Sequence, residues 1–138
     1  MTMTKTYLAL ALLITVLAGN AYGEDEVYYC ADIGNNGFRF DKNLKKYKPQ
    51  LFFENKFKLK FDRTAKTIEI KGYDVPTNGT YLCTVSYAFK PELLSCSKNL
   101  YYFNFNSDNG RIVHGSLGGY VDGDGDTISV SYGKCDKF

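Results

Sequence analysis

The chain has no tryptophan, a single histidine (His114), and no two of its four cysteines within four residues of each other. Each absence removes a class of chemistry. Without closely spaced cysteines there is no zinc-ligand pattern. One imidazole with no partner near it in sequence, and no Gly-x-Ser-x-Gly turn, leave neither a general-base signature nor a nucleophile elbow. Charge of one sign is missing too: beyond residue 23 there are 16 Lys and Arg against 15 Asp and Glu. No overall field therefore draws the chain to nucleic acid or to an anionic membrane. Past residue 18 no apolar run is long enough to span a bilayer. No segment longer than a turn or two repeats at a helical period, although residues 43–48 have room for one short helical turn.

What is present begins with an export pattern. Lys5 precedes an apolar run of 12 residues, 7–18, too short to span a membrane. Small residues at 19 and 21, or at 21 and 23, place signal peptidase cleavage after Ala21 or after Gly23, the second being preferred. Asn20 follows Leu17-Ala18-Gly19 where a lipoprotein would have cysteine, so no lipid anchor attaches there. The expectation is a signal peptide over residues 1–23. Residues 24–138 then form one soluble domain, periplasmic or secreted and monomeric, with no cofactor, no membrane span and no nucleic-acid partner.

In an exported chain an even cysteine count reads as disulfides, and four cysteines allow three connectivities. Strand register selects one. If residues 81–87 and 92–98 form a hairpin whose partner numbers sum to 179, Cys83 faces Cys96, Val85 faces Leu94, and Tyr87 faces Glu92. Directly opposed positions have the short Cβ separation that a bridge needs. Cys30 is left for Cys135, joining the first strand to the last.

Of the 115 residues after the signal peptide, 20 are Tyr or Phe, a composition that suits pleated surfaces. Lys56-Phe57-Lys58-Leu59-Lys60-Phe61 alternates rings and leucine with lysine, and Thr67-Ile68-Glu69-Ile70-Lys71 repeats the pattern after a turn, which predicts an antiparallel hairpin. Tyr101, Phe103 and Phe105 share a face, and Ser107-Asp108-Asn109-Gly110 is a turn. Residues 111–121 read as a glycine-bent strand with Val113, Leu117 and Val121 in phase. The last strand places Ile128, Val130 and Tyr132 on one face, with a bulge at Gly133 before Cys135. With Val27 to Cys30 at the start, the chain is all-β: about eight antiparallel strands in a small meander barrel, a two-sheet sandwich being the alternative.

Candidate sites are few. Asp122, Asp124 and Asp126 alternate with glycine as calcium ligands can, but Thr127 and Gly133 stand where an EF-hand needs glycine and glutamate. A solvated turn is the simpler reading, and no metal is expected. Lys42, Lys45, Lys46 and Lys48 form the one local basic excess, a possible contact for an anion or a partner protein, and lie with Gly34-Asn35-Asn36-Gly37 in a loop over residues 32–49. His114 is one residue out of phase with Val113 and Leu117, which predicts an outward side chain. Asn78-Gly79-Thr80 is a glycosylation acceptor only in a eukaryotic secretory pathway.

Tyr28-Tyr29-Cys30, the strand 56–62, Tyr101-Tyr102-Phe103-Asn104-Phe105 and the ending Gly133-Lys134-Cys135-Asp136-Lys137-Phe138 resemble short exported proteins of marine alphaproteobacteria. That group has no assigned activity, so the resemblance implies no functional residue. Tyr28-Tyr29-Cys30 and Cys135 also resemble the outline of periplasmic inhibitors of chicken-type lysozyme, small antiparallel barrels that insert a Ser-Gly-x-x-Tyr loop into the enzyme cleft. No such motif occurs here. The function expected is a non-enzymatic binding module for an unknown small molecule or protein. The alternative is an inhibitor or protein-interaction module acting through residues 32–49.

Overall fold

The computed structural model describes residues 25–73, 77–123, 125 and 127–138, so the expected signal peptide over residues 1–23 lies outside the described residues. Among them there is no helix. The nine strands are β1 Glu26–Asp41, β2 Lys46–Leu51, β3 Lys56–Asp62, β4 Thr67–Lys71, β5 Gly79–Tyr87, β6 Lys90–Lys98, β7 Tyr101–Asn106, β8 Arg111–Ser116 and β9 Ile128–Lys137. From β3 to β9 each strand pairs antiparallel with the next, and β9 returns to pair with β1. Eight strands thus close into a barrel, which removes the exposed edges that a chain so rich in rings would otherwise present. The ninth, β2, is added beyond the rim.

The 16-residue β1 makes that addition possible. Its first part pairs with β3 and its last part with β2 in one continuous register, the partner numbers adding to 87 in both halves. Residues 52–55 leave the regular ladder, but Phe52 N–H still donates to the Asn35 carbonyl (3.0 Å) and Asp32 N–H to that of Asn55 (2.9 Å). Residues 36–51 therefore form a hairpin arm whose base, at Asn36, Gly37 and Phe38, still pairs with β9 and whose remainder extends past it.

Alternation decides what fills the barrel. Phe57, Leu59 and Phe61 of β3, Ile68 and Ile70 of β4, Tyr81 of β5, Leu94 of β6, and Phe103 and Phe105 of β7 all point inward and are buried. Their rings meet edge to face, with centroids 4.8 Å apart for Tyr81–Phe103 and 5.0 Å for Tyr28–Phe105, the arrangement aromatic quadrupoles favour. Both disulfides lie in this interior, Cys30–Cys135 across the closing β1–β9 seam and Cys83–Cys96 across β5–β6. Lys56 and Lys58 face water. At the opposite end from the arm, the Glu26 carboxylate receives Arg63 Nε and Tyr28 Oη, each at 2.5 Å, and lies 3.4 Å from Lys137 Nζ. That cluster clips β1, the β3–β4 turn and β9 together.

Three hairpin turns share one design. Asp41, Asp62 and Asn106 each accept backbone N–H groups two or three residues on. Four residues after each comes a left-handed position, filled by Lys45, Lys66 and Gly110. Residues 43–48 accordingly hold no helical turn: residues 42–45 are the turn, and β2 starts at Lys46.

Several expected positions are corrected. Residues 32–49 are not a loop, since β1 runs through Asp41 and β2 begins at Lys46. Tyr87 pairs with Lys90 instead of Glu92, because the register slips between Val85 and Tyr87. β8 ends at Ser116. Its inward residues are Ile112 and His114, while Val113, Leu117 and Val121 are exposed. Val130 and Tyr132 of β9 face out as well, and Ser131, Gly133 and Cys135 face in. Leu117 and Val121 lie beyond β8 and do not set its phase, and for β9 the pairing with β8 is uninterrupted, the irregularity near Gly133 lying in β1, between Asp32 and Gly34. Gly133 is needed there because the Ala31 carbonyl oxygen comes within 2.3 Å of where a Cβ would sit.

Candidate functional site

Lys42, Lys45, Lys46 and Lys48 gather at the tip of the hairpin arm. Lys48 is held by Asp41 at 2.6 Å; the other three have no ion-pair partner among the described residues and are exposed. Arg39, opposite Lys48, lies 5.8 Å from the centre of the Phe52 ring. Leu44, Leu51 and Phe53 are exposed on the same part of the chain, Phe53 at 92%. Of the three aspartates considered for calcium, Asp122 is exposed while Asp124 and Asp126 lie outside the described residues. Among the described residues no three His, Cys, Asp or Glu side chains gather to hold a metal.

His114 is buried, at 5% exposure, where an outward side chain was expected. Its row across the sheet explains this: it pairs with Phe103 on one side and Ser131 on the other, both inward. Its Nε2 lies 2.7 Å from Oδ1 of Asp32, itself buried. The other Asp32 oxygen accepts the Asn55 backbone N–H at 3.0 Å. The imidazole stacks on Phe103 at 4.8 Å and stands edge-on to Phe57 and Tyr73. Asn55 Nδ2 donates to the Tyr73 hydroxyl (3.1 Å), and Asn35 Nδ2 to the Phe53 carbonyl (3.0 Å). These groups form a polar plug near the base of the arm, in which His114 of β8 and Asn55 of the β2–β3 connection satisfy the buried carboxylate of Asp32. A carboxylate–imidazole pair can in principle relay protons; here rings wall it off from solute.

A second feature had no trace in the sequence reading. On the outer wall over β5–β8 lies a groove of about 640 Å³, within the range small-molecule sites occupy. Tyr87, Leu93 and Val113 give it apolar surface, and Ser86, Ser95, Asn104, Asn106, Asn109 and Arg111 line the rest. Leu94, Phe105 and Ile112 point into the barrel, so they contribute main chain to its floor. A smaller dip of about 100 Å³ over β7–β9, lined in part by Tyr102, His114, Leu117 and Val130, shares Asn104 and Val113 with it. The two make one track across the wall. A polar ladder crosses it: Ser86 Oγ lies 2.9 Å from Ser95 Oγ, which donates to Asn104 Oδ1 at 2.7 Å.

No family model, curated protein or solved structure matches this chain. Function must therefore be read from the geometry. The two disulfides point to an oxidising, non-cytoplasmic compartment. Among the described residues no helix is long and apolar enough to cross a membrane.

The groove and the buried pair differ in how far sequence could have reached them. Asp32 lies two residues after the inward Cys30, so a carboxylate in an inward phase should have signalled a partner. The groove depends on the curl of the wall and on the slip at Tyr87, which periodicity does not encode.

Proposed function

We propose that the chain is an exported, non-enzymatic binding module, periplasmic or secreted, that engages its ligand on the outer wall of the barrel. The observation that carries this reading is the contrast between a centre occupied by touching rings and a groove of about 640 Å³ outside them. A barrel of eight strands has just enough room for its own side chains, and Phe57, Tyr81, Phe103 and Phe105 use that room here. The Asp32–His114 pair serves the fold in this reading: both residues are buried, and the imidazole, whose residue borders the smaller dip, turns its ring inward onto Phe103.

The test is an amide chemical-shift map of the isotopically labelled protein against fractions of the small molecules and glycans from the compartment it is exported to. Shifts confined to Asn104, Asn106, Arg111 and Val113 support the outer-wall site. Shifts confined to residues inside the barrel overturn it. A second reading, a protein-interaction module acting through the hairpin at residues 36–51, is favoured by Lys42, Lys45 and Lys46, which have no ion-pair partner among the described residues, and by the exposed Leu44 and Leu51 with Phe53 just beyond them. It is supported instead if the shifts fall on β2.

A further inference from the structure

We infer that the groove takes a carboxylate-bearing oligosaccharide, its acid group held by Arg111 and its sugar rings laid along the track from Tyr87 to Val130; this rests on the outer-wall reading above. The polar lining is biased toward donors. Asn106 Oδ1 already accepts the N–H groups of Asp108 (2.9 Å) and Asn109 (3.2 Å), and Asn109 Oδ1 accepts that of Arg111 (2.9 Å). Asn104 Oδ1 is taken by Ser95. Backbone donors fix the orientation of the first two amides, which leaves their NH₂ groups, and that of Asn104, to meet a ligand. Arg111 adds a guanidinium that forms no ion pair among the described residues, and no Asp or Glu lines the groove.

A surface with spent amide acceptors, unspent donors and a guanidinium without an ion pair among the described residues selects a ligand rich in acceptors that carries negative charge. An extended peptide fits less well. It brings one N–H donor for nearly every carbonyl, which a donor-rich lining does not match, and β6, β7 and β8 each have a neighbour on both sides; among the described residues only the 84–87 end of β5 lacks a second strand. Sugar hydroxyls and a carboxylate supply acceptors in excess. The C–H faces of pyranose rings match Tyr87, Leu93 and Val113, and the continuation past Asn104 toward Tyr102 and Val130 suits several linked rings over a single small anion.

The experiment is calorimetric titration of the full exported chain with a panel of uronate oligosaccharides, each compared with its methyl ester, in which the charge is removed and the rings are kept. Arg111→Gln and Asn104→Ala are run beside the wild type, with amide spectra of each variant to establish that it is folded. Arg111 is exposed, so its replacement leaves the core untouched. At least one acid should bind, with affinity falling roughly tenfold to a hundredfold on esterification or in Arg111→Gln, the range expected for a hydrogen bond to a charged group. Esters that bind as tightly as acids, or an Arg111→Gln protein that binds unchanged, overturn the inference. So does a panel in which no acid binds; the outer-wall reading then stands or falls separately, on whether shifts from the compartment fractions still map to Asn104 and Val113.

Discussion

The two disulfides should not be worth the same, and the difference tests how the barrel is closed. Cys30–Cys135 spans 105 residues and Cys83–Cys96 spans 13. If a bridge acts by restricting the unfolded chain, loops of those lengths correspond to about 4.7 and about 3 kcal/mol. All four cysteines are buried in the same interior, so the packing lost on conversion to alanine is similar for each pair. At about 4 °C per kcal/mol for a domain of this size, Cys30→Ala with Cys135→Ala should lower Tm by about 19 °C, and Cys83→Ala with Cys96→Ala by about 12 °C. Thermal unfolding of the purified double variants, followed by far-ultraviolet circular dichroism, reads both values. Equal shifts, or a larger loss from the short loop, would refute the reasoning, because they would mean that the seam between first and last strands is already constrained in the unfolded chain or is not closed in the folded one.

Asp32→Ala removes the acceptor of His114 and of the Asn55 N–H, and urea unfolding should show a loss of about 3 kcal/mol; Asp32→Asn, which keeps an acceptor oxygen in place, should lose less. The hydrogen bond from Arg63, opposed by partial burial and aided by Tyr28, holds the Glu26 carboxyl down at about 2 against an ordinary 4.5. Because the folded value is depressed, the stability it contributes is complete above pH 4.5 and fades as pH falls toward 2. Glu26→Gln should cost about 1 to 2 kcal/mol at pH 7 once solvent screening is allowed for, and should flatten that acid limb in urea titrations at a series of pH values. Burial, with Tyr101 and Tyr73 adding to it, pushes the Tyr81 hydroxyl up to about 12. The unfolded phenol ionises first, so stability falls as pH rises above 10, and ultraviolet difference titration should show one fewer late-ionising tyrosine in Tyr81→Phe, with Tyr28, raised by burial and by Glu26, remaining. Gly133→Ala places a methyl against the Ala31 carbonyl, and should destabilise by about 2 kcal/mol or more, read as a lower urea midpoint.

Most of the barrel could be read from residues 56–71 and 81–106, where apolar and polar side chains alternate and strand register alone sets Cys83 opposite Cys96. The errors fall where glycine interrupts that rhythm. A bulge at Gly133 turns Val130 and Tyr132 inward, and setting Val113 in phase with Leu117 and Val121 across the glycines at 115, 118 and 119 turns Val113 inward and His114 outward. The inward Cys135 carried the opposite message: counting back by twos gives Gly133 and Ser131, and Ser131 lies opposite His114. A buried imidazole then needs an acceptor, and Asp32, in phase with Cys30, is available. The arm was missed for another reason. Asp41 and Lys45 repeat the spacing of Asp62 and Lys66, but Gly34, Gly37 and Pro49 depress strand propensity in the flanking residues, and pairing with β9 overrides that local preference. As for the candidate site, the basic cluster was legible as composition alone. The groove was not, since its lining comes from four strands and a turn that are far apart along the chain.

The claim on which the functional reading depends is that ligand meets the outside of a filled barrel, and methyl-detected nuclear magnetic resonance on the ligand-bound protein tests it most directly. Ile68, Ile70, Leu59 and Ile112 report from the interior, while Val113 and Leu93 report from the groove. Intermolecular Overhauser contacts to Val113 and Leu93, with the four interior residues silent, are the predicted result. Contacts from ligand to Leu59 or Ile70 would contradict it.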